Sequence, residues 1–71
     1  MKNIVEFIEL INNQFEEPLL LNENTVLADC DNWDSLTSFM IIDVIKENFN
    51  IAISEEDLKN LSILELYQKL V

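Results

Sequence analysis

Apolar residues recur at Ile4, Phe7, Ile8, Ile11 and Phe15. This i, i+3, i+4 spacing lays one apolar stripe along a helix, so a first helix is expected over about residues 2–14, starting near Lys2. The polar run Asn12, Asn13, Gln14 and the Pro18 beyond it end the pattern. A long connection from Phe15 to Asp34 follows, with Leu19, Leu20, Leu21, Val26 and Leu27 available to tack it onto a core. A connection so long and so aliphatic reads as an ordered loop. The next run predicts a second helix over residues 35–49, closed by Asn50, because asparagine is the best left-handed residue where glycine is missing. "IAIS" reads as a short extended link. Ser54 ahead of Glu55, Glu56 and Asp57 is an N-cap with acids in the first turn, which predicts a short third helix over 55–60. Ser62, with Glu65 three residues on, has capping-box spacing and opens a last helix over 62–70. Leu61, Leu64, Tyr67 and Leu70 are expected to face inward. With no glycine and one proline the chain is poor in hairpin turns. The expected fold is all-α: one domain over 1–71, a four-helix bundle with a long loop between the first two helices and a short third helix.

The second helix carries two apolar arcs. With Ser35 at zero and ~100° per residue, Ser38, Ile41, Ile42, Ile45 and Phe49 fall within about 240–340°. This arc is the expected core face. Leu36, Phe39, Met40, Asp43 and Glu47 fall within about 40–140°. A face that only packs inside would not carry two acids, and a face that only meets water would not need three large apolar side chains. Apolar patches rimmed by charge mark partner contacts. The competing explanation is that these side chains touch the long loop or are ordinary exposed apolar residues.

Charge narrows the partners. The formal net charge is −10, with 14 acids set against 4 lysines and no arginine. Phosphate contacts to nucleic acid need clustered basic residues, which are missing, and anionic lipid is disfavoured for the same reason. A basic protein surface is the natural complement. At 71 residues the chain is one small domain in which a deep catalytic cleft would be hard to fit. No apolar run is long enough to span a bilayer, and the Met1 end lacks an apolar signal region, so a cytoplasmic monomer is expected. A lone cysteine, Cys30, rules out an intrachain disulfide. Its acidic neighbours should raise its pKa and blunt it as a nucleophile, leaving a partly buried filler.

Ser35 stands at the mouth of the second helix, between Asp34 and Leu36. Serine is common at N-cap and N1 positions, which is the plain explanation. A nucleophilic role fails on chemistry, because a serine nucleophile needs a base and the chain has no histidine. A third reading is that the hydroxyl accepts a phosphate ester. A helix N-terminus offers free N–H groups and a positive dipole end, and the Asp34 carboxylate could help hold the Mg²⁺ of phosphate chemistry.

"WDSL" opening a helix that ends in "ENFNI" resembles the acyl carrier protein family. The likeness covers nearly the whole chain: a first amphipathic helix, a long loop, Asp34-Ser35-Leu36 at the second helix, a short third helix and a fourth. The resemblance implies that Ser35 is the attachment site of 4'-phosphopantetheine, with Asp34 and Leu36 as its recognition neighbours. It implies that Leu36, Phe39, Met40, Asp43 and Glu47 form the partner-recognition face. The chain would then be no enzyme itself. It would be the substrate of a phosphopantetheinyl transferase, and would present acyl thioesters to acyl-loading and acyl-using enzymes through their basic docking patches. Asn32 and Trp33 stand where the family often has glycine before the Asp, and Asn50 where glycine is usual after the second helix. Thr37, Met40 and Lys46 replace frequent acids. These departures point to a dedicated carrier of a specialised pathway, polyketide-like or surface-glycan acylation, rather than housekeeping fatty-acid synthesis. Ile41, Ile45, Phe49, Ile51 and Leu58 would line any shelter for an acyl chain.

Two alternatives compete. An aminoacyl or peptidyl carrier would more often show glycines before the serine, which are missing here. An unmodified acidic helical adaptor would use the Leu36–Phe39–Met40 face without needing the Ser35 hydroxyl. "DCDNWD" brings Asp29, Asp31 and Asp34 close together, but as a calcium loop counted from Asp29 it has Trp33 fifth, Asp34 in place of the sixth glycine and Met40 in place of the final glutamate. A solvated acidic loop is expected, with no metal site. Trp33 is expected to pack on the core beside the attachment loop.

Overall fold

The computed structural model describes residues 3–17, 19–31 and 33–71. Among them are four α-helices: α1 (Ile4–Asn12), α2 (Ser35–Phe49), α3 (Glu55–Asn60) and α4 (Ile63–Leu70). A 3-10 turn over Leu27–Asp29 lies between α1 and α2. The domain is all-α. Extended pairing among the described residues is one isolated antiparallel bridge between Val26 and Ser62. No helix of the described residues is long and apolar enough to cross a membrane.

Each helix starts where its sequence supplies an acceptor for first-turn N–H groups. Asn3 caps α1 by accepting from the Glu6 N–H at 3.0 Å. The expected start at Lys2 and the break at Pro18 lie outside the described residues. The helix ends at Asn12, shorter than the apolar spacing implied, and Phe15 leaves the helical stripe to pack against the core from the loop. At the far end of α2, Asn50 takes the left-handed conformation, with φ 57° and ψ 32°. Its N–H donates to the Lys46 carbonyl at 2.8 Å and closes the helix, as the sequence predicts.

The loop is tied down by its own polar side chains. Asn12 Oδ1 accepts from the Leu19 N–H at 3.0 Å, and Thr25 Oγ1 from the Asn22 N–H at 3.0 Å. It also completes α4. The Ile63 N–H donates to the Thr25 carbonyl at 2.8 Å and the Leu64 N–H to the Glu23 carbonyl at 3.0 Å. Ser62 then takes the next two donors, Glu65 N–H on its hydroxyl at 3.2 Å and Leu66 N–H on its carbonyl at 2.9 Å. The whole first turn of α4 is thereby satisfied, half of it by the loop.

The core sits where α1 meets α4 and where α2 and the 3-10 turn meet α3. Phe7, Ile11, Leu27, Ile41, Ile45, Leu58, Ile63 and Leu66 are fully buried. Phe7 meets Phe49 edge-on at 5.9 Å and Tyr67 at 5.7 Å, binding α1 to α2 and α4. The radius of gyration, 10.8 Å, matches the about 11 Å of a compact chain this long.

Two expectations about the core are corrected. Leu20 is fully exposed, while Leu27 and Leu21 carry the loop's attachment. A loop pinned through Asn12 and Thr25 has no fixed side-chain period, so consecutive leucines point different ways. On α4 the inward stripe is Ile63, Leu66 and Leu70, with Tyr67 on its flank, and Leu64 lies to one side. Ile63, Leu66, Tyr67 and Leu70 follow i, i+3, i+4, i+7, a complete helical face. Leu61 precedes the helix and caps α3, although it too packs against the core.

Candidate functional site

Asp34, not Ser35, is the N-cap of α2. Its Oδ1 accepts from the Thr37 N–H at 2.8 Å and from the Thr37 hydroxyl at 2.9 Å. These bonds favour the charged form. They hold the Asp34 carboxyl below its ordinary value, led by the Thr37 N–H and then its hydroxyl, with a smaller opposing effect of desolvation. The Asp34 carbonyl takes the Ser38 N–H at 3.0 Å. The start of α2 therefore spends Asp34, and Ser35, one residue later, stands exposed in the first turn.

Ser38 faces the other way and is buried. Its hydroxyl accepts from the Trp33 indole N–H at 2.7 Å. This bond fixes the indole beside the helix start, where it also meets the Phe15 ring at 6.2 Å. Trp33 is half-buried against the core, as expected. An open groove of about 460 Å³ runs along Ser35, bordered by Asp29 of the 3-10 turn, Trp33, Ser38, and Glu55 and Lys59 of α3. The sequence reading of the site missed Ser38, Glu55 and Lys59. Ser38 left a signal, a polar residue within the apolar arc of α2. The approach of α3 to Ser35 is purely tertiary and left none.

The five residues of the second arc share one exposed face of α2. Leu36 is 78% exposed, Phe39 57% and Met40 36%, with Asp43 and Glu47 exposed beside them. Neither burial in the core nor cover by the long loop accounts for this patch. Of the side chains named as a shelter for an alkyl chain, Ile41, Ile45 and Leu58 are fully buried, and Phe49 and Ile51 pack partly buried against them.

Cys30 is partly buried, and its thiol is pushed up from the ordinary value, by burial first and then by Asp29 and Asp31. The acidic neighbours act as expected but rank second to desolvation. Among the described residues no group of three or more His, Cys, Asp or Glu side chains is arranged to hold a metal ion. Compared with protein-family models, with curated proteins and with solved structures, the chain matches none.

Proposed function

We propose that this chain is a carrier protein of the acyl carrier type, a four-helix bundle modified on Ser35 by a phosphopantetheinyl transferase. The observation that carries the reading is an exposed serine in the first turn of α2 whose capping duty is discharged by its neighbour Asp34. A serine in that position is reachable and is not needed to hold the helix start together. 4'-Phosphopantetheine, joined to the Ser35 oxygen, supplies a flexible arm whose thiol holds an acyl group as a thioester. The chain's own residues do the rest by recognition. Asp34 keeps a fixed, ionised carboxylate beside the hydroxyl, and Leu36 offers an exposed apolar contact next to it.

Leu36, Phe39 and Met40 give partner enzymes an apolar surface, and Asp43 and Glu47 give their basic patches a counter-charge. The acyl-loading and acyl-using enzymes do the chemistry. The diluted charge of α2, with Thr37, Met40 and Lys46 on it, fits a dedicated partner set in a specialised cytoplasmic pathway.

Incubation with coenzyme A and a phosphopantetheinyl transferase tests the reading by intact mass. Wild type should gain one phosphopantetheine and Ser35→Ala none, with both folded. Modification of Ser35→Ala to the same extent would refute the site. A wild type that gains nothing, yet binds a basic partner through Phe39 and Met40, would be an unmodified adaptor instead.

A further inference from the structure

Resting on the carrier reading and going beyond it, we propose that Lys59 of α3 is the counter-ion of the phosphodiester on Ser35. It would start the arm along the groove between α2 and α3. The start of α2 is short of positive charge. A phosphodiester at Ser35 needs positive charge, and a helix N-terminus ordinarily offers it through free N–H groups. At α2 part of that resource is already committed, because Asp34 holds the Thr37 N–H and hydroxyl. The Asp34 carboxylate is ionised and adds repulsion from the adjacent residue. Asp29 and Glu55 border the same groove, so the anion would meet acids on each wall.

Among the described residues, one cation faces this place. The chain has lysines at 2, 46, 59 and 69 as its only basic residues. Lys2 lies outside the described residues. Lys46 is in the last turn of α2, at the end away from Ser35. Lys69 is engaged, its ammonium 2.8 Å from Asp57. Lys59 borders the groove with Ser35 across from it. Glu55, one turn earlier on α3, borders the same groove. A phosphodiester sharing the groove offers the Lys59 ammonium an anion. The remaining walls favour the polar arm over an alkyl chain. Trp33 presents its ring with the N–H already bound to Ser38, and Asp29 offers an acceptor for amide N–H groups.

The test compares ¹⁵N-labelled apo and modified forms of wild type, Lys59→Gln, Lys59→Arg and Lys46→Gln. The transferase and coenzyme A make the modified forms, and mass spectrometry verifies them. Modification of wild type should move the amide signals of Glu55 and Lys59 and the Trp33 indole signal, as well as the neighbours of Ser35 in sequence. Lys59→Gln should lose most of the movement on α3, while Lys59→Arg and Lys46→Gln keep it. Raising salt from 0.1 M to 1 M, which shortens the Debye length from ~10 Å to ~3 Å, should suppress it in wild type. Signal changes confined to the sequence neighbours of Ser35, or equal in Lys59→Gln, overturn the Lys59 assignment while leaving the carrier reading intact. Wild type that gains no mass overturns both.

Discussion

Serines stand at the starts of α2, α3 and α4, and they do different work. At α3, Ser54 accepts from the Asp57 N–H at 3.2 Å while Asp57 returns a carboxylate oxygen to the Ser54 N–H at 3.1 Å. At α4, Ser62 and Glu65 make the same reciprocal pair at 3.2 and 2.9 Å. Both hydroxyls are consumed by the fold. At α2 an aspartate sits in the capping position and the serine is displaced by one residue, into the exposed first turn. That single-residue offset separates a serine the helix needs from one it does not. A proposed attachment point has to be of the second kind, since esterification of a capping hydroxyl would compete with the cap.

The largest expected effect lies on Ser35. Ser35→Ala should abolish mass gain on treatment with transferase and coenzyme A, yet change stability by no more than about 0.5 kcal/mol, as exposed sites away from caps do. A large drop in thermal midpoint would place Ser35 among the structural serines and break the comparison. Next comes Ser38, the buried serine one turn further along α2. Trp33→Phe removes its donor and should cost about 1–3 kcal/mol, the usual range for leaving a buried polar group unpaired. The thermal midpoint gives the readout. Ser62→Ala follows, at about 1 kcal/mol for a lost cap. That corresponds to about 4–8 °C in a domain this small. Equal midpoints for Ser62→Ala and Ser35→Ala would remove the distinction.

Much of this was legible because local chemistry decides it. Asn50 was the residue to close α2 once glycine was absent, and the Ser62–Glu65 spacing marked the start of α4. The two arcs of α2 emerged from periodicity alone, with Ile41 and Ile45 buried and Leu36 and Phe39 out in solvent. The capping box at Ser54 was only half legible, because aspartate replaces the usual glutamate at Asp57. Other features depend on contacts distant in sequence. The loop lends its Glu23 and Thr25 carbonyls to α4, a pairing no pattern announces. Nothing periodic orients Leu20, and the rotation of α4 that sets Leu64 aside was decided by Ile63 and Leu66 meeting the core. The proposed Ser35 site was readable as a motif. Its groove was not, because Lys59 and Glu55 reach it only through the packing of α3.

The smallest effect concerns how α2 is capped rather than whether it is. Asp34 caps with a charge, and Ser54 and Ser62 cap with neutral hydroxyls. The Asp34 carboxyl is held below its ordinary value in the fold, so the unfolded chain takes up its proton first as pH falls. Its contribution is complete above the ordinary carboxyl value of about 3.9 and fades as pH drops through the lower folded value. Asp57 behaves alike, held down chiefly by its bond to Lys69, and keeps some acid sensitivity in any Asp34 variant. Asp34→Ser would give α2 a neutral hydroxyl for the Thr37 N–H, without the returning acid that Asp57 and Glu65 supply at α3 and α4. It should leave the neutral-pH midpoint nearly unchanged and shallow the loss of stability below about pH 4. The Thr37 amide signal, which should titrate with Asp34 in wild type, should stay flat in the variant. An identical acid limb in both proteins would mean that the charge on Asp34 serves no purpose in the fold and leaves recognition beside Ser35 as its remaining use.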